Sequence, residues 1–177
     1  KVAWNQIWGS FCDLAMAGGP PHKGVLLEPG DAPSIAAQPE RYDSVTSEIC
    51  RGVQLVTELP ATPSSHAGWI QVTCTSAGMA GWLARAIVME NVSARARGAV
   101  LELPAGPDYR LEKEIKNVVT SVAKAAHYWI EHVPDLQQRS IGSMFARMSK
   151  ELPLVEPVSL DEGFWPDQHE IECTAVA

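Results

Sequence analysis

The sequence predicts a mixed fold, α/β or α+β, built from an internally duplicated strand–helix–strand–helix unit. Three observations lead there. The chain matches itself at an offset of 74 residues, apolar residues recur at helical spacing in several long stretches, and short β-rich runs stand between those stretches. The offset aligns Trp8 with Trp82, Gly24 with Gly98, Leu27 with Leu101, Glu28 with Glu102 and Pro33 with Pro107. It continues without a gap through Glu40 and Glu114, Val45-Thr46-Ser47 and Val119-Thr120-Ser121, to Pro60 and Pro134. Ten of the 53 positions from Trp8 to Pro60 are identical, against roughly 6% for unrelated chains of ordinary composition.

Repeat one covers about 1–60, repeat two about 66–134, and a connector with a closing strand fills 135–177. Units this small seldom carry a sufficient core alone, so one domain over 1–177 is expected. In chain order, a helix is predicted from about Asn5 to Ala17, with Trp4 and Trp8 on one patch, then a strand at His22 to Glu28. A helix follows from about Glu40 to Leu59. The β-rich run Trp69 to Thr75 predicts a strand, and the nearly uncharged segment Ala77 to Val92 a helix buried on most sides. Gly98 to Leu103 reads as a short strand closed by Pro104, Gly106 and Pro107. Leu111, Ile115, Val118, Val122, Ala125, Trp129 and Val133 then form one helical stripe that Pro134 ends. Leu136 to Leu152 fits an amphipathic helix, and Pro153 to Pro166 an irregular connection. The tail, Glu170 to Ala175, resembles Gln71 to Ser76 in its order of polar, branched, Cys and Thr residues. It is expected to supply the strand that repeat one lacks, closing a pseudo-twofold arrangement.

Composition narrows the function. Fourteen Lys and Arg against 21 Asp and Glu leave a net charge of −7, and the longest basic stretch is Arg95-Ala96-Arg97, which argues against nucleic acid as a partner. No apolar run reaches the length of a membrane span. Four scattered cysteines without a CxxC pair fit reduced thiols in a cytoplasm.

Candidate site residues fall in three places. At the junction from Cys74 to Gly81 a strand meets a helix N-terminus through small residues, which suits an anion bound near Ser76 and Gly78 and a Cys74 thiol of lowered pKa. The plain reading is close helix packing and an inert thiol; the dinucleotide, phosphate-loop and hydrolase-elbow patterns are absent. Glu28 and Glu102 sit at matched positions within apolar strands, each five residues after a cation, Lys23 or Arg97. A carboxylate there needs a partner, so the two are candidates for an acid/base pair flanking a common cleft, or for surface pairing at strand ends. The loop Gly18 to Gly24 presents His22 and Lys23. The five histidines show no metal-ligand spacing, and along a strand His169 and Cys173 face away from Glu170 and Glu172, so no metal site is assigned. No cofactor is indicated.

The reading these residues favour is a cytoplasmic protein that binds a small metabolite in a cleft between its repeats, with turnover left open. Two alternatives stand beside it. One is a non-catalytic, homo-oligomeric interaction protein using apolar helix faces. The other is a cysteine-dependent transferase or hydrolase using Cys74, with His22 or His66 as base.

Overall fold

A computed structural model describes residues 25–151. The predicted N-terminal helix, His22, Lys23 and the closing strand lie outside them. The described chain joins helices to one four-stranded antiparallel sheet, so the fold is α+β.

Proline punctuates the start. Helix α1, Ala32–Ala37, is capped by Asp31, whose side chain accepts the Ser34 N–H at 2.7 Å. It stops ahead of Pro39, which disfavours helical geometry in the residue before it and opens helix α2, Pro39–Thr57. Val45, Ile49 and Val53 bury one stripe of α2, and Glu58, in the left-handed region at φ 60°, ends it.

Strand β1, Ala61–Pro63, and strand β2, Trp69–Thr73, then form a hairpin. The predicted strand stops two residues short of Thr75 because the chain turns there into helix α3, Ala77–Met89, whose N-cap is Ser76. Asn91, at φ 60°, halts α3 before the predicted Val92. The run read as one strand from Gly98 is the second arm of another hairpin: strand β3, Arg95–Arg97, and strand β4, Val100–Pro104, flank Gly98-Ala99. Gly98 takes φ 56°, a conformation costly for other residues, so it makes the turn and does not extend a strand. A single π-helical turn, Leu111–Ile115, leads into helix α4, Lys116–His132. Gln138 caps the end of α4 by donating to the carbonyls of Trp129 and Val133, and helix α5, Asp135–Glu151, follows.

The sheet order is β1-β2-β4-β3. Ile70, Val72, Leu101 and Leu103 point to the helices and are fully buried with Ile49, Met79, Leu83 and Ile87 in one core; each such side chain contributes about 1.5–3 kcal/mol. Helices α2 and α3 pack on this face of the sheet, and α4 packs on both of them. Helix α5 lies on α3, where Gly78 meets Gly142 backbone and Gly81 meets the Phe145 ring.

All four strands fall between Ala61 and Pro104, so among the described residues the sheet does not pair matched strands of two repeats. Of the strand predicted over His22 to Glu28, the described part contributes one parallel bridge, Leu27 to Val92. Val25 is 93% exposed and Leu27 hydrogen-bonds to Asn91 and Ser93 after the end of α3, so this segment runs beside the turn there and forms no strand of the sheet. Helices α2 and α4, which the 74-residue offset does align, pack against one another.

Candidate functional site

Alternation along the strands sorts side chains to two faces, and the face turned from the helices carries one row across all four strands. Thr62 pairs with Gln71, Gln71 with Glu102, and Glu102 with Arg95. Glu102 is the unusual member: a carboxylate on the outer face that is only 3% exposed. Its neighbours cover it. Oε1 accepts from the Ser64 hydroxyl at 2.8 Å and bonds His66 Nδ1 at 2.8 Å, both from the β1–β2 loop. Oε2 accepts from Arg95 Nε at 2.6 Å, with Arg97 Nε at 3.9 Å. The Arg95 guanidinium also lies 4.0 Å over the Trp69 ring, a second contact that holds it in place.

Burial pushes the Glu102 carboxyl upward, but hydrogen bonds from Arg95, His66 and Ser64 outweigh it and hold the group below its ordinary range. Glu102 is therefore ionised at neutral pH. An ionised carboxylate only accepts, so the proton in its bond to His66 sits on Nδ1, and the neutral ring keeps Nε2 as an open acceptor. Among the described residues nothing bonds Nε2. Ser64 Oγ stands 3.3 Å from Nδ1, the nitrogen the carboxylate already holds. The three side chains thus do not form the relay in which a serine hydroxyl bonds the opposite ring nitrogen. What the cluster offers outward is an imidazole, 47% exposed, beside two guanidiniums.

Compared with protein-family models, curated proteins and solved structures, the chain has no match. The site stands on its own geometry.

Of the residues singled out in the sequence, Glu102 is the centre of this cluster and Arg97 its edge. Glu28 is not part of it. Its carboxylate accepts from Ser93 Oγ at 2.9 Å and its carbonyl from the Tyr109 hydroxyl at 2.6 Å, so each glutamate has its own partners and the two share no bond. Cys74 is 5% exposed, and burial pushes its thiol up to about 11. The lowered thiol pKa expected at the helix N-terminus is not found, because burial of the sulfur disfavours the thiolate. Ser76 caps α3, accepting the Met79 N–H at 3.1 Å, and Gly78 serves the contact with α5.

Two of the hollows among the described residues lie elsewhere. One, of about 480 Å³, lies between α2 and the π turn, but its arginines are engaged: Arg41 with the carbonyls of Pro107 and Tyr109, Arg51 with Glu48. The other is an apolar groove of about 240 Å³ between α3 and α4, lined by Trp82, Met89 and Tyr128 among others. No group of three or more His, Cys, Asp or Glu among the described residues is arranged to hold a metal ion.

Ser64, Arg95 and Trp69 were not visible as site residues. The signal for Arg95 was present: reading Gly98-Ala99 as a two-residue turn pairs Arg97 with Val100 and so Arg95 with Glu102. Ser64 and Trp69 had no comparable signal, since the loop between β1 and β2 has no turn motif of fixed length.

Proposed function

We propose that the chain binds a small polar molecule on the outer face of its sheet, at the cluster around Glu102, with His66 as the proton-exchanging group. The observation that carries this is the 2.8 Å bond from His66 Nδ1 to a carboxylate almost sealed from water. A buried, ionised glutamate holds one tautomer of an exposed imidazole, an arrangement that supports acid–base work on a bound molecule. This moves the expected site from a cleft between repeats to the sheet face. The duplication at 74 residues is kept as the ancestry of helices α2 and α4, and a cytoplasmic setting rests on the free, buried thiols of Cys50 and Cys74.

The test is ligand-observed NMR with a set of small polar metabolites against the wild type and His66→Ala, a substitution at an exposed loop position. Compounds that compete for one site and lose binding in the variant support the reading. Compounds that bind both proteins equally, or none that bind, refute it. The imidazole 15N shifts supply a second check: the Nδ1–H tautomer should dominate in the neutral ring of the wild type and lose that dominance in Glu102→Gln.

The exposed groove of Trp82, Met89 and Tyr128 favours a second reading, a homo-oligomeric interaction protein. It requires a dimer or larger in sedimentation velocity that Met89→Glu dissociates. The cysteine-dependent reading gains no support from a thiol held protonated by burial.

A further inference from the structure

The outer face of the sheet carries a charge balance opposite to that of the whole chain. The protein has 21 acidic and 14 basic residues. Yet the outward positions of the four strands, Thr62 on β1, Trp69, Gln71 and Thr73 on β2, Val100, Glu102 and Pro104 on β4 and Arg95 and Arg97 on β3, include two guanidiniums and a single carboxylate. That carboxylate is already committed. It accepts three hydrogen bonds, from Ser64 and His66 on one oxygen and Arg95 on the other, and Arg97 reaches it only at 3.9 Å, outside hydrogen-bond range.

Arg97 is 59% exposed and has no acceptor at bonding distance among the described residues. Arg95 uses Nε on Glu102, which leaves its two terminal nitrogens without a described acceptor, while the Trp69 ring beneath holds the guanidinium plane in position. Both Nε atoms lie within 3.9 Å of the same oxygen, so the two forks stand side by side. The His66 ring belongs to the same cluster through the other oxygen. Planar forks of this kind match the oxygen spacing of phosphate and carboxylate, and an arginine fixed in advance loses less side-chain freedom on binding than a free one.

We infer that the molecule taken at this site is a small oxyanion-bearing compound, its phosphate or carboxylate group held by Arg95 and Arg97 beside His66. This rests on the small-molecule reading above and names its ligand class. Glu102 then has two tasks: it orients the imidazole and, by neutralising one of the two guanidiniums, keeps the pair together.

The experiment is an NMR titration of the intact chain, following the Arg95 and Arg97 Nε–H and the Trp69 indole N–H signals. The probes are inorganic phosphate and malonate, added at constant ionic strength with chloride as the compensating anion. Saturable shifts at Arg97 with phosphate alone assign a phosphoryl group; with malonate alone, a carboxylate; with both, either oxyanion. In each case Arg97→Gln, at an exposed position that leaves the Glu102 bonds intact, weakens binding about fivefold, the loss of an exposed charge pair. Shifts that chloride reproduces, that do not saturate, or that Arg97→Gln leaves unchanged overturn the inference. If neutral metabolites bind in a His66-dependent way while neither anion does, the ligand class is wrong and the site reading survives. If nothing binds, both fall.

Discussion

Helices α3 and α5 meet at two glycines whose substitutions have opposite predicted signs. A Cβ added at Gly78 sits 2.8 Å from Gly142 Cα and 3.1 Å from Gly142 N, and these are backbone atoms that move only if α5 moves. Overpacking of this kind costs about 1–3 kcal/mol. The gain from replacing glycine in a helix is up to about 1 kcal/mol, and less at Gly78, the second residue of α3. Gly78→Ala is therefore destabilising by about 1–2 kcal/mol. A Cβ at Gly142 meets nothing within 4 Å, so Gly142→Ala, in the middle of α5, keeps the helix-propensity gain and stabilises by about 0.5–1 kcal/mol. For a chain of this length each kcal/mol moves the melting temperature by about 2–4 °C. Circular dichroism melts, checked by urea midpoints, resolve the two variants easily. Gly78→Ala melting at or above the wild type refutes the close approach. The same variant separates packing from ligand binding: a glycine needed for a ligand's approach loses affinity on substitution, whereas one needed for α5 loses stability and leaves affinity unchanged.

Further outcomes follow from the polar groups. Glu102→Gln keeps the shape and the Ser64 contact but removes the charge that Arg95 and His66 bond, and it should lower unfolding free energy by about 2–3 kcal/mol in urea titrations; a loss under about 0.5 kcal/mol contradicts the cluster. Acid should destabilise the protein through Glu102 and Glu114. Burial pushes Glu114 upward, but the Arg110 side chain and backbone N–H and Lys113 overcome it and bring it to about 2. Both folded-state values lie below the ordinary 4.5, so the unfolded chain binds more protons: this stability is whole above about pH 4.5 and drains as pH falls towards 2. Urea midpoints at pH 5 and pH 3 measure it, and Glu114→Gln should flatten the slope. Cys74 and Cys50, each pushed up to about 11 by burial, should resist iodoacetamide at neutral pH in the native state and react once unfolded. Residue-resolved mass spectrometry decides it, and rapid native alkylation of Cys74 revives a nucleophilic role.

Helices were legible where periodicity outlasted local noise. The stripe from Leu111 to Val133 became the π turn and α4, and Pro134 marked an end that propensity alone leaves loose. Strands β1 and β3 were not legible. Ala61-Thr62-Pro63 and Arg95-Ala96-Arg97 are three residues each, too short to show alternation, and their strand character comes from neighbours that supply the hydrogen bonds. The offset of 74 residues sets the sequences of the two long helices α2 and α4 in register yet misdirected the sheet, because helix-face similarity does not carry the strand pairing with it.

The site shows the same division between what one segment encodes and what pairing creates. Glu102 stood out in sequence because a charge inside Val-Leu-Glu-Leu-Pro demands a partner, and that demand is local. Its matched residue, Glu28, carried the same expectation and met it differently, since Pro29 and the exposed Val25 leave that segment beside a turn, where Ser93 suffices. The identity of a partner depends on register. A two-residue turn at Gly98-Ala99 puts Arg95 opposite Glu102; one residue more or fewer shifts the pairing and sends the arginine to the other face. The site around Glu102 is thus specified jointly by one out-of-place charge and one glycine, and a Gly98 substitution in the turn next to Arg97 should weaken anion binding in the same NMR titration by displacing both arginines, where Arg97→Gln removes one charge.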